Sequence, residues 1–402
     1  MSTYYYVQPT DSLFVRGNLA FGDGGEHGSA LMPPPPSLFA GAFRSAILGR
    51  DAGAMSAFLQ DGHCADAHLA ACLGTPEVPG EFRITWLSLA GQTHEQALPE
   101  ALSPFPADLI CLESGFACLQ PRERPRGVAS SGDLPLLATL VSSKQEKPRS
   151  GFYLREAGLR RHLQGELPKD AERIKTSAVH QRDPRLGIGL ATESRSAEEG
   201  LIYTTEGFAF SPASTASTPC PYASTGFLVG IEGTNELLPD QGQLRLGGDG
   251  RSAHYRRVAF EPPFSNVVTG AVGNFRLVLQ TPGLFAQGWL PDGIGREGDE
   301  FILRGPGFSA RLVCAALGRR EIISGWDLFN WKPKPAQASS PAGSVYWFDQ
   351  LHEESPGKLA AWVANGLWAE NPASPQAALG AGGGRIRRAE GYNLAWLAAW
   401  QN

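Results

Sequence analysis

Between residues 38 and 47 the apolar positions recur at helical spacing, Leu38, Phe39, Ala42, Phe43, Ala46 and Ile47. That pattern predicts an amphipathic helix packed on a sheet. Ser37 reads as its N-cap, and the prolines 33–36 before it favour a stiff, extended approach. Elsewhere the apolar runs are shorter, aromatic or β-branched, and bounded by glycine. They predict strands near 1–15, 81–91 and 109–119, then again near 200–210, 226–233, 267–282, 301–318, 343–348 and 394–400. Residues 142–185 are rich in cations and turn formers and read as a basic surface insertion or arm. Short strands with a few helices and no regular alternation predict an α+β fold. The Ser/Thr/Pro cluster at 211–225 predicts a boundary near 215, giving modules 1–215 and 216–402.

Composition adds limits rather than a function. A chain of 402 residues with 42% hydrophobic and 19% charged residues is an ordinary globular protein. Its formal net charge of −5 argues against indiscriminate nucleic-acid binding but leaves room for a local basic groove. No charged start precedes an apolar core and no run of eighteen apolar residues occurs, so neither an export signal nor a membrane span is expected. Six widely spread cysteines then suggest reduced thiols and a cytoplasmic location.

Several constellations carry candidate chemistry. Ser37, Gly41 and Arg44 share one face of the first helix, where a free N-terminus, a gap and a cation suit an anion. Gly247 and Gly248 form a turn among Arg245, Arg251, Arg256 and Arg257; its N–H groups suit phosphate, or it is a tight hairpin with solvated arginines. Gly382, Gly383, Gly384 and Arg385 form a second glycine-rich basic stretch, without the Gly-Lys-Ser/Thr ending of a Walker loop. Trp326, Trp331, Lys332 and Lys334 interleave aromatic and cationic groups, a composition that stacks bases and holds phosphates. Cys64, His68 and Cys72, at i, i+4 and i+8, offer a zinc site as an alternative to a buried helix face. His27, beside Glu26 in a glycine loop, is the histidine best placed for acid–base work, with no evident catalytic partner.

Four of these stretches, in this order, resemble one family. "DSLFVRGNLAFGDGGEHGSALMPPPPSLFAGAFRSAIL" resembles its N-terminal signature and "PRLGIGLATESRSAEEGLIYTTEGFAF" its central one. "LRLGGDGR" resembles its glycine turn, and "GWDLFNWKPKPAQASSPAGSVYWF" its late motif. The family is the third subunit of the Cmr-type (type III-B) CRISPR interference complex, in the RAMP superfamily. The resemblance implies two ferredoxin-like, RRM-related modules with family-specific insertions. It implies a non-catalytic subunit that needs no cofactor and caps the repeat-derived 5′ tag of the guide RNA. Its partners would be the large polymerase/cyclase-like subunit, a backbone RAMP subunit of the filament and, indirectly, target RNA. The implied RNA contacts are Arg16, His27, Ser37, Gly41 and Arg44, then Arg245, Gly247, Gly248 and Arg251. Lys332, Lys334, Gly382, Gly383, Gly384 and Arg385 complete them, although "EGYNLAWL" departs from the superfamily's usual strand start after its last glycine loop. The competing readings are a paralogous subunit of another type III complex, a guide-processing RAMP endoribonuclease dependent on His27, and a zinc-stapled scaffold without RNA contact.

Overall fold

The tyrosine run near the N-terminus explains the layering. Side chains alternate along a strand, so Tyr5 and Val7 enter a core beneath helices while Tyr6 enters a second core against another sheet. A computed structural model describes residues 2–15, 27–28, 31–95, 97–128, 130, 132–142, 145–190, 194, 196–210, 220–234, 236–248, 250–262, 273–368 and 383–400.

The first sheet is built on β1 (Thr3–Pro9), β2 (Arg83–Gln92), β3 (Ser224–Glu232) and β4 (Ser252–Val258). They lie in the spatial order β4-β1-β3-β2, all antiparallel, with Tyr5 opposite Val229 on one side and Arg257 on the other. Four short strands extend the edges: Gln241–Arg245 beyond β4, and Glu100–Ser103, Phe152–Arg155 and Arg173–Lys175 beyond β2. The second sheet is built on β5 (Phe275–Leu279), β6 (Phe308–Ala316), β7 (Val345–Glu353) and β8 (Ala395–Ala399). Its order, β8-β5-β7-β6, repeats the fourth-first-third-second arrangement of the first.

Helix α1 (Pro36–Leu48) lays Phe39, Phe43 and Ile47 on the first sheet, with the Phe39 ring 4.9 Å from Phe227 and Phe43 5.6 Å from Tyr5. Each such phenylalanine, truncated to alanine, costs about 3–5 kcal/mol. Helices α2 (Ala52–Asp61) and α3 (Ala67–Leu73) follow, started by the Asp51 and Asp66 side chains accepting backbone N–H groups of their first turns. The other faces of the two sheets meet directly. Tyr6, Trp86 and Leu228 pack against Val278, Val345, Trp347 and Trp396, joined by Leu159 and Leu163 of α4 (Glu156–Leu163). Helix α5 (Lys358–Ala364) closes the far face of the second sheet over Tyr346 and Phe348. Helix α6 (Gly383–Ala389) leads into β8.

Three expectations need correction. The sheets do not divide at 215, a position outside the described residues: β3 and β4 complete the first sheet through Val258, and the second starts at Phe275. A Ser/Thr/Pro-rich stretch marks a loop; the strand before it, Ala197–Ala209, belongs to a separate three-stranded sheet, and the strand after it is β3 of the first sheet. The basic segment 142–185 is not a free arm. Leu154, Leu159, Leu163 and Ile174 are buried, while Arg155 pairs with Glu100 and Arg161 with Glu166 and Glu172. Ser37 does not cap α1: the helix begins at Pro36, Pro35 is the N-cap, and no side chain caps it.

Candidate nucleic-acid interface

The freed Ser37 hydroxyl has a different partner. It lies 2.9 Å from the Tyr392 hydroxyl, tying the start of α1 to the turn after α6. Tyr392 is fully buried, with Arg387 over its ring at 5.3 Å. Around this joint sits a compact ionic cluster. Glu390 accepts from Lys334 Nζ at 2.6 Å and from Arg387 Nη1 at 2.9 Å, and Arg387 also donates to Gln337 Oε1 at 2.8 Å. Burial alone would raise the Glu390 carboxyl, yet Lys334, Arg387 and Arg44 hold it below its ordinary range.

Arg44 completes the group from α1. Its guanidinium lies 5.0 Å over the Phe82 ring, and burial lowers its pKa against the attraction of Glu390 and Cys72. Its Nε and Nη2 are buried without a hydrogen-bond partner among the described residues, a state that costs about 1–3 kcal/mol or more for a charged group. Three cations thus converge on one carboxylate where the two halves of the chain meet. One helical turn away Gly41 is exposed, with nothing within 4 Å of the place a Cβ would take. An anion can approach the helix there without displacing a side chain.

The late aromatic motif adjoins the cluster through Lys334. Trp326–Asp327 pairs with Lys332–Pro333 as a short antiparallel ribbon, and Lys332 is exposed. The second glycine stretch is only partly the loop expected: Gly383, Gly384 and Arg385 open α6, with Arg385 exposed, and Gly382 lies outside the described residues.

The central glycine turn is built for packing. Gly247 has φ 86°, and a Cβ there would stand 2.5 Å from the Phe14 carbonyl oxygen; Gly248 N donates to that same oxygen at 2.8 Å. The Gly248 N–H expected for phosphate is therefore already used. Arg251 is paired with Asp11 and lies 5.1 Å over Phe14, whereas Arg245 is exposed at the sheet edge. Arg16 and the His27 side chain lie outside the described residues; the His27–Gly28 backbone pairs in parallel with Thr204 and Thr205.

The zinc alternative on Cys64, His68 and Cys72 fails on geometry. The helix those spacings assumed starts only at Ala67, Cys64 and Cys72 point into the core, and His68 is exposed. Burial pushes the Cys72 thiol up to about 11. Among the described residues, metal-type ligands gather instead at Asp108, Cys118 and His162. There Arg276 already pairs with the Asp108 carboxylate and donates to the His162 carbonyl at 2.6 Å. A guanidinium fills the cation's place, and burial, with Asp108 adding to it, raises Cys118 to about 12.

Sequence comparison decides the family. The family described as CRISPR-associated protein (Cas_Cmr3) matches residues 5–400. The chain belongs to the Cmr3 family. It is a Cmr3-type subunit, in agreement with the four ordered motifs. No curated protein matches it by sequence. Among solved structures, a chain of the type III-B Cmr-beta complex bound to cognate target RNA and AMPPnP is similar with a TM-score of 0.47. A chain of the complex bound to cognate target RNA gives 0.45. Both are 14% identical, over 86% of this chain and 86% of theirs. No helix among the described residues is long and apolar enough to cross a membrane.

Glu390, Arg387 and Tyr392 were not singled out as contacts from sequence. Their signal was the "RIRRAEGYN" stretch, in which a lone acid follows three arginines; nothing local announces that it closes on α1.

Proposed function

We propose that this Cmr3-family chain is the guide-end subunit of a type III-B effector ribonucleoprotein. It grips the repeat-derived 5′ tag of the guide RNA on the face made by α1, α6 and the Trp326–Pro333 ribbon. The observation that carries this reading is the buried excess of cations at Glu390, with two Arg44 donors unpartnered beside the open surface at Gly41. Single-stranded RNA recognition uses phosphate contacts and splayed bases, and the interface supplies cations and exposed indoles for both. The fourth-first-third-second order of both sheets supports two ferredoxin-like, RRM-related RAMP modules. In this reading the subunit does no chemistry, docks beside the large polymerase/cyclase-like subunit and the first backbone subunit, and meets target RNA only through the assembly.

Ultraviolet crosslinking of the tagged subunit within its native complex, followed by sequencing of the attached RNA, tests it. Reads should pile on the repeat-derived 5′ end of guides. Reads spread along spacers would move the subunit to a filament position and overturn the assignment.

A further inference from the structure

Trp331 is held at φ 49° and is 72% exposed; Trp326, 51% exposed, meets it edge to face with ring centroids 5.7 Å apart at 86°. A bulky residue in the left-handed region is a conformational outlier. Burial of the indole offers little compensation at such exposure, and the return seen among the described residues is the edge-on contact with Trp326. The ribbon is nonetheless rigidly mounted. The Asp327 carboxylate accepts from Asn330 N at 2.9 Å and Nδ2 at 3.0 Å, fixing the tip. The Phe329 ring sits 3.2 Å from the place a Gly62 Cβ would take, at the end of α2. At the base, Lys334 N donates to Gly325 O at 2.8 Å and Ser324 Oγ to Lys334 O at 2.7 Å. Lys334 Nζ then reaches Glu390, making the ribbon continuous with the cationic cluster.

We infer that Trp331, braced by Trp326, is a stacking platform for one unpaired base of the guide RNA. The inference rests on the proposed tag-binding reading and names its base-contacting element. An apolar protein partner would also cover an exposed indole. The flanking charge favours RNA instead: Lys332 is exposed beside Trp331 and makes no ion pair among the described residues. An indole next to ammonium groups offers a base a π-face and its phosphates a counter-charge.

The test uses the full chain and a set of guide 5′ segments, each with 2-aminopurine at one position. Binding is read by anisotropy and stacking by 2-aminopurine quenching. Trp331→Ala should weaken binding by about 5- to 150-fold, the range for losing one base–aromatic stack. It should abolish quenching at one position and leave the salt dependence unchanged. Trp331→Phe should restore most of both signals. Arg385→Gln, at another exposed site, reports on the RNA face itself by lowering the salt slope, by roughly 0.7 for one lost single-strand contact. If Trp331→Ala binds and quenches like the wild type while Arg385→Gln lowers the slope, the platform is wrong and the RNA face stands. If Trp331→Ala binds RNA normally but no longer joins the complex, the ribbon is a protein-docking element and the inference is overturned. If the wild-type chain binds none of the segments, the tag-binding reading falls, and the platform with it.

Discussion

Replacing Glu390 with glutamine removes one negative charge and almost no volume from the point where Lys334, Arg387 and Arg44 converge. Glu390 is 2% exposed, with Lys334 Nζ at 2.6 Å and Arg387 Nη1 at 2.9 Å. In the variant these cations face one another in a largely dry environment with only an amide oxygen between them. Removing one partner of a buried ion pair costs about 3–5 kcal/mol, much of it the penalty of the charges left behind. One retained amide contact places this variant near the lower end, at about 3 kcal/mol. Urea unfolding followed by tryptophan fluorescence measures the loss. The double variant Glu390→Gln, Lys334→Met removes a stranded cation as well, so it should be more stable than the single variant. Acid should mimic the substitution. The folded-state pKa of Glu390 lies below its ordinary value, so its contribution is complete above the ordinary carboxylate range and disappears as pH falls through the lowered one. A loss under about 1 kcal/mol, far below the buried-pair range, or a double variant less stable than the single one, would refute the account of the cluster.

Two further predictions concern the rest of the molecule. Asp108→Asn breaks the buried group that ties α4 to β5 and should cost about 3–5 kcal/mol. Against the opposing effect of burial, His162 and Arg276 hold the Asp108 carboxyl at about 2, so wild type and variant should converge in urea midpoint as pH falls from about 4 to about 2. Burial, aided by Arg182, pushes His180 down to about 4 from 6.5, and its Nε2 lies 2.7 Å from the Tyr153 hydroxyl. The unfolded chain then binds the proton first, so stability is full above pH about 6.5 and falls by up to about 3 kcal/mol on acidification toward 4. His180→Gln should flatten that part of the stability–pH curve; an equally steep curve in the variant would assign the slope to other groups.

Local pattern made some of this architecture legible. The apolar spacing of Phe39, Phe43 and Ile47 identified the buried face of α1, and the alternation at Tyr5, Tyr6 and Val7 came with a strand reading that the first sheet bears out. What escaped was long-range. Residues 211–225 carry loop composition, but no local signal says that Phe227–Ile231 then slots between β1 and β2. The cations of 142–185 suggested a solvated arm because some of their carboxylates, such as Glu100 for Arg155, come from a distant strand. The glycines at 247 and 248 read equally as an anion cradle or a tight turn, and the Phe14 carbonyl selects the turn.

The same distinction bears on how a chain of net charge −5 can hold a local excess of cations. Many of the described cations are answered where they stand: Arg83 by Glu232, Arg155 by Glu100, Arg251 by Asp11, Arg304 by Glu297, and Arg311 by Glu300 and Asp349. Such pairs contribute little to stability when exposed, about 0–1 kcal/mol each, and they cancel the field an anion would feel at a distance. The Glu390 cluster breaks the rule, because Lys334, Arg387 and Arg44 share one carboxylate. Its excess is enclosed rather than spread on the surface, so counter-ions screen it less than they screen exposed charge. A subunit organised in this way does not attract nucleic acid indiscriminately. In the proposed reading it offers a point of unbalanced charge at the joint between its halves, and the phosphate chain most able to use it is one whose neighbouring base also finds Trp331.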